Sequence, residues 1–304
     1  MRPGLTADLP HQPPAPAAVA LENRAVLELS GPDRVAFLQG LVSNDVARTE
    51  RGLAVHAALL TPQGKFLHDL FLVPLGERLL IDCEAARRDD LLRRLRMYRL
   101  RSKVELADAA DRYAVHAVIG AGAAVPGLGA EPGATAPLGN GVACVDPRLA
   151  ALGLRLILPA GEAPGFPAAP FDAWDRLRLA LGVPDGSRDL VPEKSILLEN
   201  GFDELNGVSW DKGCYMGQEL TARTRYRGLV KKRLTPVAVE GPLPEPGTVV
   251  MAGDRDAGEV RSGFGAQALA LLRTEEVAKA AEAGTPLTAG GAVLRPLKAA
   301  WARD

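Results

Sequence analysis

The pattern of apolar and polar positions changes character once along the chain. Up to Arg233, strand-like apolar runs mix with a few helices; beyond it, short strands are broken by Gly and Pro. Ala25-Val26-Leu27-Glu28-Leu29 reads as a strand. Ser30-Gly31-Pro32-Asp33 then opens a helix, with Ser30 as its cap and Pro32 suited to a first turn. Val35, Leu38 and Val42 recur at helical spacing. Residues 54–60 and 66–73 are apolar strands around the turn Thr61-Pro62-Gln63-Gly64-Lys65, a hairpin, and Leu79 to Asp82 is a third strand. Residues 85–100 predict a helix with Leu91, Leu92, Leu95 and Tyr98 on one face. Val115 to Ile119, Ala143 to Val145 and Leu154 to Leu158 are strands, and the Gly-, Ala- and Pro-rich stretch 120–140 reads as a loop. Phe171 to Leu181 predicts a helix whose stripe of Trp174, Leu177 and Leu181 faces a core. Strands and helices mix without strict alternation, which fits the α+β class better than a doubly wound parallel sheet. After residue 234, short strands at regular spacing with one helix at 275–283 have the pattern of a small β-barrel. The expected organisation is a floppy tail over residues 1–18, an α+β region of two subdomains over 19–233, and a C-terminal barrel over 234–304.

Composition changes this picture little. The 304 residues are 47% apolar and 24% charged, as in ordinary globular chains, and the net charge of −1 gives the whole chain no affinity for polyanions. Only local runs are basic. One is Arg87, Arg88, Arg93, Arg94, Arg96, Arg99, Arg101 and Lys103 against Asp89 and Asp90, either a solvated helix face or a wall of an anion-binding cleft. Another puts six cations into the eleven residues Arg223 to Arg233. With 5% aromatic residues and no RNA-binding motif, nucleic acid is a poor candidate partner. No apolar run reaches a membrane span, and the prolines from Pro3 to Pro16 break any signal-peptide core, so no membrane partner is expected. Three cysteines, Cys83, Cys144 and Cys214, without close spacing argue against a disulfide framework and for a reducing, cytoplasmic setting. They also fall short of the four ligands of an iron–sulfur cluster and the close-spaced pair of a zinc site, so no resident metal is expected.

The chemistry concentrates in Lys212-Gly213-Cys214-Tyr215-Met216-Gly217-Gln218-Glu219. Two glycines flank a segment holding one thiol, and a cation lies two residues before it. Residues 218–226 predict a short helix with Glu219 in its first turn and Gly228 as its stop. Cys214 then precedes a helix N-terminus, and both helix amides and Lys212 favour thiolate over thiol. The plainer reading is a small buried hydrophobe.

This signature resembles that of the YgfZ family, folate-binding relatives of the glycine-cleavage T-protein tied to iron–sulfur cluster assembly and repair. Phe37-Leu38-Gln39-Gly40-Leu41 with Asn44-Asp45, Leu60-Thr61-Pro62-Gln63-Gly64-Lys65-Phe66 and Leu205-Asn206-Gly207-Val208 resemble the family as well. The resemblance runs from about residue 19 to 300 and weakens at 120–140. It implies a T-protein-like folate-binding fold with a small C-terminal β-barrel. It also implies tetrahydrofolate or a derivative as cofactor, and iron–sulfur proteins or assembly factors as clients. On this resemblance Cys214 and Lys212 are catalytic candidates. Asp69 joins them, because the T-protein has a carboxylate in a comparable hairpin; the alternative is that Asp69 caps or pairs at a strand end. Its neighbour His68 is expected to alternate to solvent. Arg223 and Arg225 are candidates for the folate's acidic tail, Glu199 and Asn200 for the pterin edge, and Tyr215 or Trp210 for stacking or packing, with Gln218 and Glu219 completing the set. Whether the protein is an enzyme stays open. The leading function is a folate-binding accessory protein for iron–sulfur assembly or repair. The alternatives are a tetrahydrofolate-dependent aminomethyltransferase and a protein related to tRNA modification.

Overall fold

The computed structural model describes residues 15–228 and 230–303. Most of the expected tail, residues 1–14, lies outside the described residues. Its last part is corrected, because Ala17 and Ala18 already belong to strand β1 (Ala17–Ala20). After it come β2 (Arg24–Ser30), α1 (Arg34–Gln39), β3 (Val55–Leu60), β4 (Phe66–Leu75), β5 (Arg78–Glu84) and α2 (Arg88–Arg99). Then follow β6 (Glu105–Asp108), β7 (Tyr113–Ile119), β8 (Thr135–Leu138), β9 (Gly141–Val145), β10 (Leu154–Pro159), β11 (Ala168–Ala169), α3 (Phe171–Leu181) and α4 (Gln218–Tyr226). The last third holds β12 (Lys232–Glu240), β13 (Val249–Ala252), β14 (Arg255–Phe264), β15 (Gln267–Arg273), α5 (Thr274–Ala283), β16 (Leu287–Ala289) and β17 (Ala292–Pro296).

These strands build two sheets and a barrel. One sheet has the order β3-β4-β5-β2-β6 and the other β11-β1-β7-β10-β9-β8; strands β12 to β17 close a six-stranded barrel in the order β12-β15-β14-β13-β16-β17. Neighbours pair antiparallel except β1 with β11, so the fold is α+β and not doubly wound. Val26, Phe71, Val73 and Leu80 of the first sheet share one core with Ala117, Ile119, Val142 and Ile157 of the second and with Trp174, Leu177 and Leu181 of α3. Leu70, Leu72, Leu79 and Ile81 point the other way, into a core covered by Phe37 and Leu38 of α1 and Leu91, Leu92 and Leu95 of α2. The barrel has its own core and is joined to α3 where Leu179 meets Leu234, Leu269 and Leu271.

Three expectations are corrected. Helix α1 starts at Arg34, its cap position Asp33 makes no side-chain cap bond, and Ser30 is the last residue of β2. The stretch 120–140 contains strand β8, paired with β9, because Pro137 sits on a sheet edge where it has no ladder donor to lose. His68 is buried, not turned to solvent: β4 is a central strand covered on both faces, so alternation does not bring any of its first eight side chains to water.

Between the two sheets lies a charged layer. Arg24 on β2 donates through Nε to Asp82 (2.7 Å) and through a terminal nitrogen to Asp69 (3.0 Å), while Arg155 on β10 reaches Asp82 from the opposite sheet. Arg148 is paired with Asp146 at 2.8 Å. All six side chains are buried, and Arg24, Arg148 and Arg155 surround the Phe71 ring at 5.2, 4.9 and 3.9 Å. Burial alone would depress Arg24, but Asp69, Asp82 and Asp185 hold it well above the usual guanidinium value. Burial would raise Asp146, yet Arg148 and Arg155 bring it down to about 2.

The two buried histidines set an acid limit. Burial, aided by Arg148, lowers His56 to about 4; burial and Arg87 lower His68 to about 4 against the opposing pull of Asp90. An unfolded histidine titrates near 6.5. The unfolded state therefore binds more protons below that value, and stability is full above pH 6.5 and lost as pH falls toward 4. Each histidine should contribute roughly 3 kcal/mol to this loss. Denaturant unfolding at a series of pH values from 7 to 4 measures it, with His56→Gln expected to flatten the slope; a flat profile across that window would contradict the assignment.

Candidate functional site

The signature segment folds as a loop laid between α1 and the β3–β4 hairpin, followed by α4. Gly217 starts α4 with φ 80°, and a Cβ there would meet the Thr61 carbonyl oxygen at 2.5 Å and Gly64 Cα at 2.9 Å. Gly64, at the hairpin tip with φ 80°, is packed against Leu220 and Gly217 in turn. Two glycines thus allow the hairpin and the signature to touch backbone to backbone. Gly217→Ala should cost roughly 2–3 kcal/mol from the positive φ and the clash, read as a fall in the denaturation midpoint. An unchanged midpoint would mean that the contact is not tight.

Lys212 is the second anchor. Its ammonium donates to the carbonyls of Gln39 (2.7 Å), Val42 (2.8 Å) and Asn44 (2.7 Å), which end α1 and form the turn after it. Three donors meet three acceptors, so Lys212 closes the helix C-terminus as a basic cap. Burial lowers it to about 8, with Asp45 opposing. The cation counted in favour of the Cys214 thiolate is therefore committed to backbone carbonyls. Further bonds hold the same junction: Met216 N–H to the Gly40 carbonyl (3.0 Å), Ser43 Oγ to the Gly207 carbonyl (2.6 Å), and Asn44 Nδ2 to the carbonyls of His56 and Asn206 (both 2.7 Å). Cys214 itself is a free, exposed thiol on this pinned loop, whereas Cys83 and Cys144 are buried, and burial pushes both up to about 12.

The other candidates fall into two groups. Around the signature, Tyr215 is buried, with the Lys212 ammonium 5.2 Å from its ring centre, so it packs; burial raises its hydroxyl above the usual range, with Thr221 opposing. The Gln218 side chain accepts from the Tyr215 N–H at 3.4 Å. On the exposed face of α4, Arg223 pairs with Glu219 at 2.8 Å and the Arg225 guanidinium lies 4.1 Å from the Trp210 ring centre. The 3-10 turn Leu197–Asn200 packs against α4. In it Asn200 is fully buried: Nδ2 donates to the Ile196 carbonyl at 2.8 Å, while Oδ1 has no partner among the described residues. Burial raises Glu199, with Lys232 and Lys65 opposing.

Asp69 stands apart from this group. It lies within β4 rather than at a strand end, in the charged layer between the sheets, bound by Arg24 at both carboxylate oxygens (3.2 and 3.0 Å). The structure thus gathers Cys214, Lys212, Tyr215, Gln218, Glu219, Arg223 and Arg225 with Asn200, and does not bring Asp69 to the thiol's loop through any bonded contact. Arg24 is the residue that sequence reasoning missed, and nothing in a lone arginine at a strand start signals its buried partners. Among the described residues no three His, Cys, Asp or Glu side chains cluster as a metal site, and no helix is long and apolar enough to cross a membrane.

Comparison with known proteins places this geometry. Residues 20–125 match the family described as the GCVT N-terminal domain, and residues 231–304 match the CAF17 C-terminal beta-barrel domain. A crystal structure of the glycine cleavage system aminomethyltransferase T from Bartonella henselae superposes with a TM-score of 0.73 over 93% of this chain and 84% of that one, at 16% identity, which shows a shared fold. The mitochondrial iron-sulfur cluster assembly factor IBA57 of Mus musculus is 35% identical over 290 residues, 84% of this chain and 77% of the mouse protein. The Homo sapiens protein of the same name is 36% identical over 286 residues, 86% of this chain and 78% of its own length. Both relatives are mitochondrial, which overturns the expectation of a cytoplasmic setting drawn from cysteine usage. A count of thiols reports a reducing environment but does not say which compartment provides it. By this similarity along most of both lengths, the chain belongs to the IBA57 family of iron–sulfur cluster assembly factors.

Proposed function

We propose that the protein supports the assembly or repair of iron–sulfur proteins, acting through Cys214 on clusters held by other proteins. The observation that carries this reading is one exposed thiol on a loop fixed at Lys212 and Gly217. A cluster normally takes four thiolates, so a single cysteine suits contact with a cluster whose other ligands belong to a client. The Asp69 arrangement speaks against aminomethyl transfer. Both its oxygens are committed to a buried guanidinium in the layer between the sheets and are not turned toward a substrate amine.

A reduced folate fits the residues around the signature. The orphaned Asn200 Oδ1 offers a buried acceptor suited to a pterin N–H, and Arg223 and Arg225 offer charge for its glutamyl carboxylates. Bound there, folate would supply a one-carbon carrier; this chain's residues orient it and hold its charge. Calorimetry with tetrahydrofolate should show Arg223→Ala and Arg225→Ala each weakening binding by about fivefold, on the order of 1 kcal/mol for an exposed charge contact, and less at high salt. Equal affinity in both variants would take these arginines out of the site. The function itself is tested in a strain lacking the gene. Several iron–sulfur enzymes should lose activity together while enzymes without clusters keep theirs. Turnover of an aminomethyl substrate with tetrahydrofolate would overturn the reading.

A further inference from the structure

We propose that the C-terminal end of α2 and the turn after it, residues 96–103, form a docking surface for an anionic phospholipid bilayer. This departs from the expectation that the protein has no membrane partner, and it does not depend on the signature or on folate.

The helix is divided along its length. In its first half the arginines are neutralised: Arg88 pairs with Asp89 and Asp108, Arg93 with Asp90, and Arg94 with Asp90. In the second half Arg96, Arg99, Arg101 and Lys103 are exposed, and none of these side chains makes an ion pair among the described residues. No acidic residue occurs from Leu91 to Val104. Between these cations stand Met97, Tyr98 and Leu100, which are 62%, 36% and 86% exposed. A single exposed apolar residue needs no explanation. Here three lie within four consecutive positions, at the protruding end of a helix whose Leu91, Leu92 and Leu95 are fixed in the core.

Leu100 adds an independent observation. It has φ 43° and ψ −110°, and it is one of three non-glycine residues with positive φ among the described residues. A leucine in that conformation is strained, and this one is also almost fully in water. Fold stability gains nothing from either. The exposed side chain becomes favourable when the tip meets an apolar phase, while the backbone cost is the same in either setting.

The chemistry selects a lipid surface. The whole chain has a net charge of −1, so the cationic tip leaves the rest of the molecule negative and turns this end toward an anionic plane. Arginine and lysine heads sit at the phosphates, tyrosine suits the interface, and leucine and methionine reach the acyl boundary. An acidic face on a folded partner would satisfy the cations but would need a matching cleft for three protruding apolar groups.

Flotation of the full chain with two kinds of vesicle tests this: phosphatidylcholine alone, and phosphatidylcholine mixed with phosphatidylglycerol. Binding is expected to the mixed vesicles only, and weaker at high salt. Arg96→Gln and Arg99→Gln should each reduce it roughly fivefold. Leu100→Ser should reduce it by a similar factor at low and high salt alike. All three side chains are exposed, so the variants should fold, which circular dichroism checks. Absent binding to the mixed vesicles overturns the proposal, as does binding that none of the three substitutions changes; the latter would assign the attraction to another surface.

Discussion

Asp82→Ala should destabilise the protein by about 3–5 kcal/mol, and should do so without touching the signature. Asp82 is fully buried on β5, accepts from Arg24 at 2.7 Å, and pairs with Arg155 across the sheet interface. Among the described residues, its removal leaves Arg155 paired only with Asp146 at 3.7 Å, against the face of Phe71. A guanidinium stripped of its partner in a dry interior loses far more than a surface pair would, because no water replaces the carboxylate. Against a typical total of about 5–15 kcal/mol, such a loss is large, and it should lower the melting temperature by roughly 10 °C. Arg155→Met alone should also destabilise, and the double variant should lose less than the sum of the two singles. Strict additivity would mean that the two side chains are not coupled. This layer sits where the two sheets face each other, so its loss should loosen their packing; hydrogen exchange in β2 and β10 should rise together.

The same layer marks where sequence reading stopped. Apolar spacing locates α3 at Phe171–Leu181, and the charge pattern from Glu219 to the basic last turn with Gly228 as stop locates α4 at Gln218–Tyr226. The barrel was legible from the spacing of its strands, although its first strand starts at Lys232, two residues before the expected barrel boundary. Strand β8 escaped because Pro137 and its Gly-rich surroundings mimic a loop when the partner strand is unknown. Arg24, Asp69, Asp82 and Arg155 come from strands far apart in sequence, with Asp146 just after β9, and a charged residue in an apolar run carries no record of its partner. His68 illustrates the same limit: strict alternation predicts an outward face, but a strand covered on both sides has none. Lys212 is singled out by its place in the signature, but its three partners are not legible there. A cation two residues from a thiol looks like a charge aimed at sulfur. Only the fold brings the end of α1 close enough to take all three of its protons into hydrogen bonds.

Cys214→Ser should leave folding intact and abolish the support of iron–sulfur enzymes in a complementing strain. The thiol is free and exposed, so its oxygen analogue disturbs little packing. What changes is chemistry: a serine hydroxyl is neutral at physiological pH and a poor ligand for iron, whereas a thiolate is the usual one. Cys83→Ala and Cys144→Ala should behave in the opposite way, losing on the order of 1 kcal/mol of stability each while still complementing. Both side chains are packed in cores, and burial keeps them as thiols, with values near 12. Alkylation of the native protein should accordingly modify one thiol at neutral pH and three after unfolding, with peptide mapping placing the first at Cys214. Lys212→Met tests whether the thiol must be held as well as present. Loss of the ammonium leaves three carbonyls without their donor, so the loop should loosen and Cys214 should alkylate at least as fast as in the parent, yet complementation should fall. If Lys212→Met complements as well as the parent, exposure of the thiol alone is enough, and the anchoring of its loop plays no part in function. If Cys214→Ser complements fully, the thiol is not the working group, and the proposed function loses the observation on which it rests.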